Sequence, residues 1–235
     1  MTVSAALLTS DTTDTLASSW NTASVSPQNE SLVIVVAAYY DAAATFDSIG
    51  VSGLGQTWFS LSTQGYTSQL GLVSAAYCIT SSPTPGAITI NAGNTYDAIS
   101  WIVIEFSGNA GEKFGFVQTQ GFGGDTNRST ADTFTPTVPL AALGERNVTI
   151  GFSGAFNTAS EALTFSNTTG WTVAGQKTGN AGVSREIACA LYYAIDTTDT
   201  TVTSTVDANS DRHFVGMAEF QYELYRPKIM SVVQN

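Results

Sequence analysis

Residue types that could catalyse hydrolysis are sparse in this chain. Acyl transfer needs a nucleophile with a base beside it, and the sequence contains one histidine, His213. Residues 151–155 (Gly-Phe-Ser-Gly-Ala) are the nearest match to the Gly-x-Ser-x-Gly turn that presents a catalytic serine, but their last position is alanine. We therefore expect His213 to be a surface or strand-edge histidine, and the protein not to be an enzyme.

Two glutamates precede phenylalanines at similar points of the chain, Glu105 and Glu219. Glycosidases place two carboxylates on either side of the scissile bond, so this pair raises the possibility of hydrolysis. Both lie inside strand-like apolar runs, where a carboxylate more often accepts hydrogen bonds near a strand end or pairs with an arginine. We expect this structural role and no catalytic residues.

Metal chemistry is poorly supported. One histidine and two widely separated cysteines, Cys78 and Cys189, cannot build a zinc site. Both cysteines lie in apolar strand-like runs, which predicts buried free thiols, although a disulfide between sheets remains an alternative.

An acidic segment resembles the opening of a calcium loop. Residues 207–211 read Asp-Ala-Asn-Ser-Asp, but the sixth position is Arg212 and the twelfth is Ala218, where an EF-hand has glycine and glutamate. The turn at residues 196–199 could join it in an irregular calcium site. We expect ordinary acidic turns, with no metal and no cofactor.

Four aromatic side chains are predicted to lie in loops or in the N-terminal arm, whereas Trp58, Trp101 and Trp171 fit the core pattern. Loop aromatics can stack on a glycan or be buried against a neighbouring subunit, and we favour the subunit. These candidate contact residues are Trp20, Tyr66, Phe122 and Phe156.

The elements that must position these residues are predicted to be strands. Charged residues make up only 11% of the chain, and Thr, Ser, Gly and Asn are frequent, which favours strands and turns over helices. Residues 32–40 form a continuous apolar run typical of a strand covered on both faces. Short strands separated by Gly, Pro and Asn turns predict an all-β, two-sheet β-sandwich with jelly-roll or Greek-key wiring.

The chain also contains an internal two-fold repeat. Four motifs recur 113–116 residues further along, and they are Leu32 with Val148, Trp58 with Trp171, Tyr77 with Tyr193, and Glu105 with Glu219. We predict an N-terminal arm or edge strand at 1–30, one sandwich domain at 31–225 and a tail at 226–235. The repeat halves are 31–108 and 147–222, with a less regular insertion at 108–146. Within this insertion, Phe114 and Phe116 and the stretch 133–138 predict two shorter strands.

The net charge of −11 excludes some partners. Eight basic residues cannot neutralise many phosphates, so nucleic-acid binding is not expected, and an anionic membrane would repel the chain. The N-terminus lacks the basic and long apolar regions of a signal peptide. We therefore expect synthesis in a cytoplasm.

Several motifs resemble a β-sandwich module of tailed-phage virion proteins and bacterial surface proteins. They are residues 32–35 (Leu-Val-Ile-Val), 52–58 (Ser-Gly-Leu-Gly-Gln-Thr-Trp), 74–77 (Ser-Ala-Ala-Tyr), 88–90 (Ile-Thr-Ile), 104–108 (Ile-Glu-Phe-Ser-Gly), 169–172 (Thr-Gly-Trp-Thr) and 190–193 (Ala-Leu-Tyr-Tyr).

The resemblance implies a non-enzymatic virion structural protein, such as a head decoration or minor capsid protein, assembled in the host cytoplasm. Its partners would be capsid or tail proteins and further copies of itself. The alternative is a tail-associated or cell-surface adhesin that binds host glycan.

Overall fold

The structure, a computed structural model, describes residues 3–40, 50–66, 71–125, 137–157, 164–167, 170–180, 186–206 and 212–224. Every regular element in these ranges is a β-strand. The strands are β1 (Ser4–Thr13), β2 (Ala17–Asn21), β3 (Leu32–Tyr40), β4 (Gly50–Gly53), β5 (Phe59–Tyr66), β6 (Gly71–Ile79), β7 (Ile88–Tyr96), β8 (Ala98–Ser107), β9 (Glu112–Asp125), β10 (Thr137–Pro139), β11 (Asn147–Asn157), β12 (Phe165–Asn167), β13 (Thr172–Asn180), β14 (Glu186–Ile195), β15 (Thr201–Val206) and β16 (Arg212–Leu224).

These strands form two large and two small antiparallel sheets. The large sheets have the orders β1-β8-β3-β6-β5 and β13-β14-β11-β16-β9, and the small sheets β2-β7-β4 and β10-β15-β12. Adding eight to each strand number of the first large sheet gives the second large sheet read backwards, and the small sheets correspond in the same way. Within each set of eight the pairing is nested, first with last and second with seventh, which is compatible with jelly-roll wiring.

The sheets are stacked in four layers with three hydrophobic cores. The central core lies between the two large sheets and contains Ile34 and Phe152. The two outer cores lie between each large sheet and its small sheet, around Trp101 in the first half and Tyr192 in the second. The prediction of an all-β sandwich is confirmed, and a small sheet on each side adds two outer layers to it.

The middle strands of the large sheets, β3 and β11, are buried along their whole length. For β3 this confirms the prediction from its apolar run, since a strand between two cores has no solvent-facing side. Small residues let the layers approach. A Cβ added to Gly154 of β11 would overlap Val73 of the facing sheet.

The predicted N-terminal arm and the predicted insertion both contribute strands to the sheets. The predicted arm contains β1 and β2, and each is the edge strand of its sheet. The region 108–146, predicted to be a less regular insertion with two shorter strands, contains β9 and β10, which occupy the corresponding edges in the second half. The β9 sequence is too rich in Gly, Gln and Thr to show apolar alternation, and β10 has only three residues. This explains why the sequence pattern did not match them to β1 and β2.

Candidate functional site

The only histidine, His213, lies in a buried polar network at the start of β16, so the expectation of a surface position is wrong. Its side chain is fully buried, with Nε2 2.9 Å from the Ser153 Oγ and 3.0 Å from the Ser204 Oγ. The Ser204 hydroxyl also lies 2.7 Å from the Tyr192 hydroxyl. Burial, slightly offset by these hydrogen bonds, raises the pKa of Tyr192 well above its ordinary value.

This network brings a serine and a histidine together, as hydrolysis would require, but it gives them no access to substrate. Ser153 is fully buried, and its hydroxyl donates to the Phe214 carbonyl oxygen at 3.1 Å. The positions that correspond by the repeat offsets in the first half are Ala37 and Ile99. The network therefore replaces apolar contacts of an outer core and joins the layers of the second half.

The two repeated glutamates hold chain segments in place. The Oε1 atom of Glu105 accepts the Gln28 N–H at 2.6 Å, and the Oε1 atom of Glu219 accepts the Gly144 N–H at 2.8 Å. Glu219 also accepts the Gln118 Nε2–H at 2.6 Å. Each carboxylate thus anchors the segment that enters the central strand of its half, in line with the predicted structural role.

The segments that these glutamates anchor share a further backbone feature. Glu30 and Arg146 follow the anchored residues by two positions, and their φ angles are 60° and 55°. Positive φ is uncommon for residues with a Cβ. The same local geometry therefore precedes β3 and β11.

Both cysteines are free and buried, as predicted. Burial raises the pKa of Cys78 and of Cys189 to about 12, so both stay as thiols near neutral pH. They face different cores, since Cys78 packs in the outer core of the first half and Cys189 in the central core.

Among the described residues, no three His, Cys, Asp or Glu side chains are grouped to hold a metal ion. Asp196 accepts the Tyr222 hydroxyl at 2.6 Å, and Asp199 accepts the Trp171 Nε1–H at 3.2 Å. Residues 207–211, the rest of the possible calcium site, lie outside the described ranges.

The four predicted contact aromatics separate into two groups. Trp20 and Phe156 were expected in the arm and in a loop, but they lie on β2 and β11 with their side chains buried. They are covered because the first large sheet packs over Trp20, through Tyr39 of β3, and the opposite large sheet packs over Phe156. Tyr66 and Phe122 lie on β5 and β9. The structure does not describe their side chains, so their role in contacts stays a prediction.

A cluster of rings that the sequence reasoning missed lies where β5 and β9 meet. Phe59 of β5 stacks on Tyr77 with ring centres 5.4 Å apart, and Phe116 of β9 stacks on the same tyrosine at 5.5 Å. Phe220 meets Tyr77 edge-on at 5.0 Å. We call this cluster of Phe59, Tyr77, Phe116 and Phe220 the aromatic seam, because it joins the open edges of the two large sheets.

The two outer rings of the aromatic seam are exposed. Phe59 is 52% and Phe116 42% exposed, whereas Tyr77 and Phe220 are buried. Burial also raises the pKa of Tyr77, so its phenol stays neutral. All side chains of residues 59–66 and 114–121 are uncharged, although the chain carries a net charge of −11. The seam therefore offers an apolar and uncharged surface.

The two large sheets pack together as a slab. Its opposite edge has a matching tyrosine–phenylalanine pair but lacks the two exposed phenylalanines. There Tyr193 meets Phe106 edge-on at 5.4 Å, just as Tyr77 meets Phe220. The cross-strand partner of Tyr193 is Thr172, and that of Phe106 is Ala5. At the aromatic seam the matching partners are the two exposed phenylalanines. The packing of the large sheets thus does not require an aromatic ring at either position.

A small recess marks the junction of the two halves. It encloses about 210 Å³ between residues 28–30 and 107–112. Glu112, almost fully buried, pairs with Arg146 at 2.7 Å, and Glu30 pairs with Lys113 at 2.8 Å. The Glu30–Lys113 pair thus joins the two halves, whereas the Glu112–Arg146 pair fixes the start of β9 to the segment that enters β11.

The described residues contain no helix long and apolar enough to cross a membrane. Comparison with protein-family models finds no match for this chain, and comparison with curated proteins finds none either.

Proposed function

We propose that this protein is a non-enzymatic structural component of a virus particle, a head decoration or minor capsid protein of a tailed phage. It would attach to neighbouring proteins through the aromatic seam. The observation that carries the proposal is the pair of exposed rings, Phe59 and Phe116, at positions where the opposite edge has threonine and alanine.

Exposed aromatic rings on a rigid framework suit protein contact. Aromatic side chains are enriched at protein interfaces and supply much of the binding energy there. Tyr77 and Phe220, both buried, hold the two exposed rings from behind. Little side-chain entropy would therefore be lost when a partner covers the rings.

The edges of the large sheets favour contact through side chains over strand addition. Each of the four edge strands carries a bulge or register shift in its pairing. Bulges twist an edge away from the flat geometry that an added strand needs. A partner of this protein would therefore rest on the rings and leave the backbone edge unpaired.

The virus assignment rests on the resemblance of the sequence motifs and on the acidic charge, which disfavours nucleic acid and membrane surfaces as partners. Its test is mass spectrometry of purified particles from a phage whose genome encodes this chain. The protein should be present in stoichiometric amounts. Particles that lack it would refute the proposal.

The role of the aromatic seam is tested with the same particles. Phe59→Thr together with Phe116→Ala copies the opposite edge and should strongly lower occupancy on the particle while the melting temperature changes little. Leu16→Ser is a matched control, because Leu16 is 63% exposed and lies on neither edge of the large sheets. Equal occupancy of both variants would refute attachment through the seam.

Glycan binding is the second candidate, and the same seam favours it. Sugar rings pack on exposed aromatic rings, and hydroxyl and amide side chains such as Ser60, Thr63 and Gln120 lie on the same two strands. A glycan array should then show binding by the wild type that the Phe59→Thr, Phe116→Ala variant loses. An array without binding would exclude this candidate for the glycans displayed.

A further inference from the structure

The exposed apolar residues of the described chain concentrate at two opposite edges. Six large hydrophobic side chains are exposed, and all but Leu16 lie on the four edge strands of the large sheets. Phe59, Phe116 and Val117 lie on β5 and β9, and Leu7 and Val173 lie on β1 and β13.

The second of these edges also bridges both large sheets. Leu7 of β1 packs against β13, because a Cβ added to Gly175 would lie 3.2 Å from the Leu7 Cδ1. Leu7 is 49% and Val173 38% exposed. Thr172 pairs with Tyr193 on the face toward the central core, whereas Val173 pairs with Tyr192 on the outer face of the same edge strand. We call this edge, formed by Ala5, Leu7, Thr172 and Val173, the aliphatic seam.

We propose that a second copy of this chain docks its aliphatic seam on the aromatic seam, so that copies associate head to tail. The inference rests on the proposed function in using the aromatic seam as a contact surface, and it names one partner of that surface. A head-to-tail contact generates a ring where the rotation closes and a filament where it does not.

Shape supports contact between unlike seams. Both edges are built on an edge-on pair of a tyrosine and a phenylalanine, in which both rings are buried at the aromatic seam and Tyr193 is partly buried at the aliphatic seam. One edge then adds two exposed phenylalanines, where the other has Thr172 and Ala5. The protruding rings of one copy can enter the space left by these small side chains on the next copy. Two aromatic seams would instead place protruding rings against each other.

Charge supports a second copy as the occupant. Two chains of net charge −11 repel each other over most of their surfaces. Residues 59–66 and 114–121 of the aromatic seam are uncharged, and so are residues 4–10 and 172–176 of the aliphatic seam. At these two seams, two negatively charged copies can approach each other without bringing charges of the same sign into contact.

The contact between two copies is small. A strand of eight residues is about 26 Å long, and the packed sheets are about 10 Å apart, so each seam offers a few hundred Å². Stable dimers bury about 800 Å² per partner. We therefore expect association that depends on protein concentration and is reversed by dilution.

Sedimentation velocity of the full-length chain tests the proposal. The wild type should be monomeric at micromolar concentration and form multimers near millimolar concentration. Phe59→Thr with Phe116→Ala should stay monomeric, and so should Val173→Asp. Leu7→Ser serves as a second aliphatic-seam variant, and Leu16→Ser as the control that associates like the wild type. Circular dichroism confirms that each variant is folded.

Mixing the two seam variants decides between the possible arrangements. Each variant keeps one intact seam, so the mixture should form heterodimers although neither variant associates alone. Association of Val173→Asp and of Leu7→Ser, each by itself, would show that the aliphatic seam is not needed for the contact and would overturn the proposal. A wild type that stays monomeric would overturn it too, while the particle test of the proposed function remains separate.

Discussion

Replacing the buried Glu219 by glutamine should lower the free energy of unfolding more than the same replacement of Glu105, its counterpart in the first half. Glu219 is fully buried and accepts N–H groups from Gln118, Gly144 and Asn147, at 2.6, 2.8 and 3.4 Å. In Glu219→Gln, one oxygen becomes an NH₂ group. If the remaining oxygen keeps the hydrogen bond from the Gly144 N–H, the new NH₂ group faces the Nε2–H group of Gln118. Two donors then lie side by side without an acceptor between them.

The size of the effect follows from these contacts. A hydrogen bond to a charged group contributes about 1.5–3 kcal/mol, and a buried donor without a partner costs a similar amount. We expect Glu219→Gln to lower the free energy of unfolding by about 2–3 kcal/mol. For a chain of this length, this corresponds to a fall in melting temperature of roughly 4–12 °C.

Glu105→Gln is the matched control. Its Oε1 accepts the Gln28 N–H, and an amide oxygen can keep that bond, so we expect a loss of about 1 kcal/mol or less. Thermal unfolding is followed by circular dichroism and by tryptophan fluorescence, in which Trp171 reports on the second half. Equal shifts for the two variants, or an unchanged Glu219→Gln protein, would refute the reasoning.

Three further perturbations have defined outcomes. Gly216→Ala places a Cβ against the Phe152 ring and should cost about 1–3 kcal/mol in urea unfolding, whereas Gly115→Ala, with no neighbour within 4 Å, should change stability little. Ser204→Ala removes the hydroxyl that His213 and Tyr192 share and should lower the free energy of unfolding by about 1–3 kcal/mol. An unchanged free energy would show that this hydroxyl is not needed to satisfy the two buried groups. Partial burial raises the pKa of Asp199, but hydrogen bonds from neighbouring threonine and tryptophan groups outweigh it and lower the pKa overall. The stability that Asp199 contributes is therefore present above about pH 4 and lost as the pH falls further, and Asp199→Asn should flatten this part of a melting-temperature profile.

The sequence predicted the all-β class, the central strand β3 and several of the buried positions. The apolar run of β3 and the motifs around Trp101 and Trp171 reflect local chemistry, because a strand between two layers must be apolar on both faces. The positive φ angles of Gly53 and Gly55 agree with the expectation that glycine-containing turns separate the strands.

The sequence could not predict which side chains face solvent at the edges. Trp20 looked like part of an exposed arm, but a sheet built from distant strands covers it. Phe59 has no distinguishing feature in the sequence, yet its strand lies at an edge and half of its side chain is exposed. His213 lies at the start of β16, and its burial comes from strands β11 and β15, which pack around it.

By itself, the sequence determined the all-β class, the buried central strand and the absence of a recognisable catalytic motif, because these depend on residue type and short-range spacing. The tertiary structure decided that four layers form and that β9 and β10 take the places that β1 and β2 have in the first half. It also decided that one edge of the slab exposes two phenylalanines where the other has Thr172 and Ala5. Exposure at an edge depends on which strands pair across the whole chain, and a local pattern carries no information on that pairing.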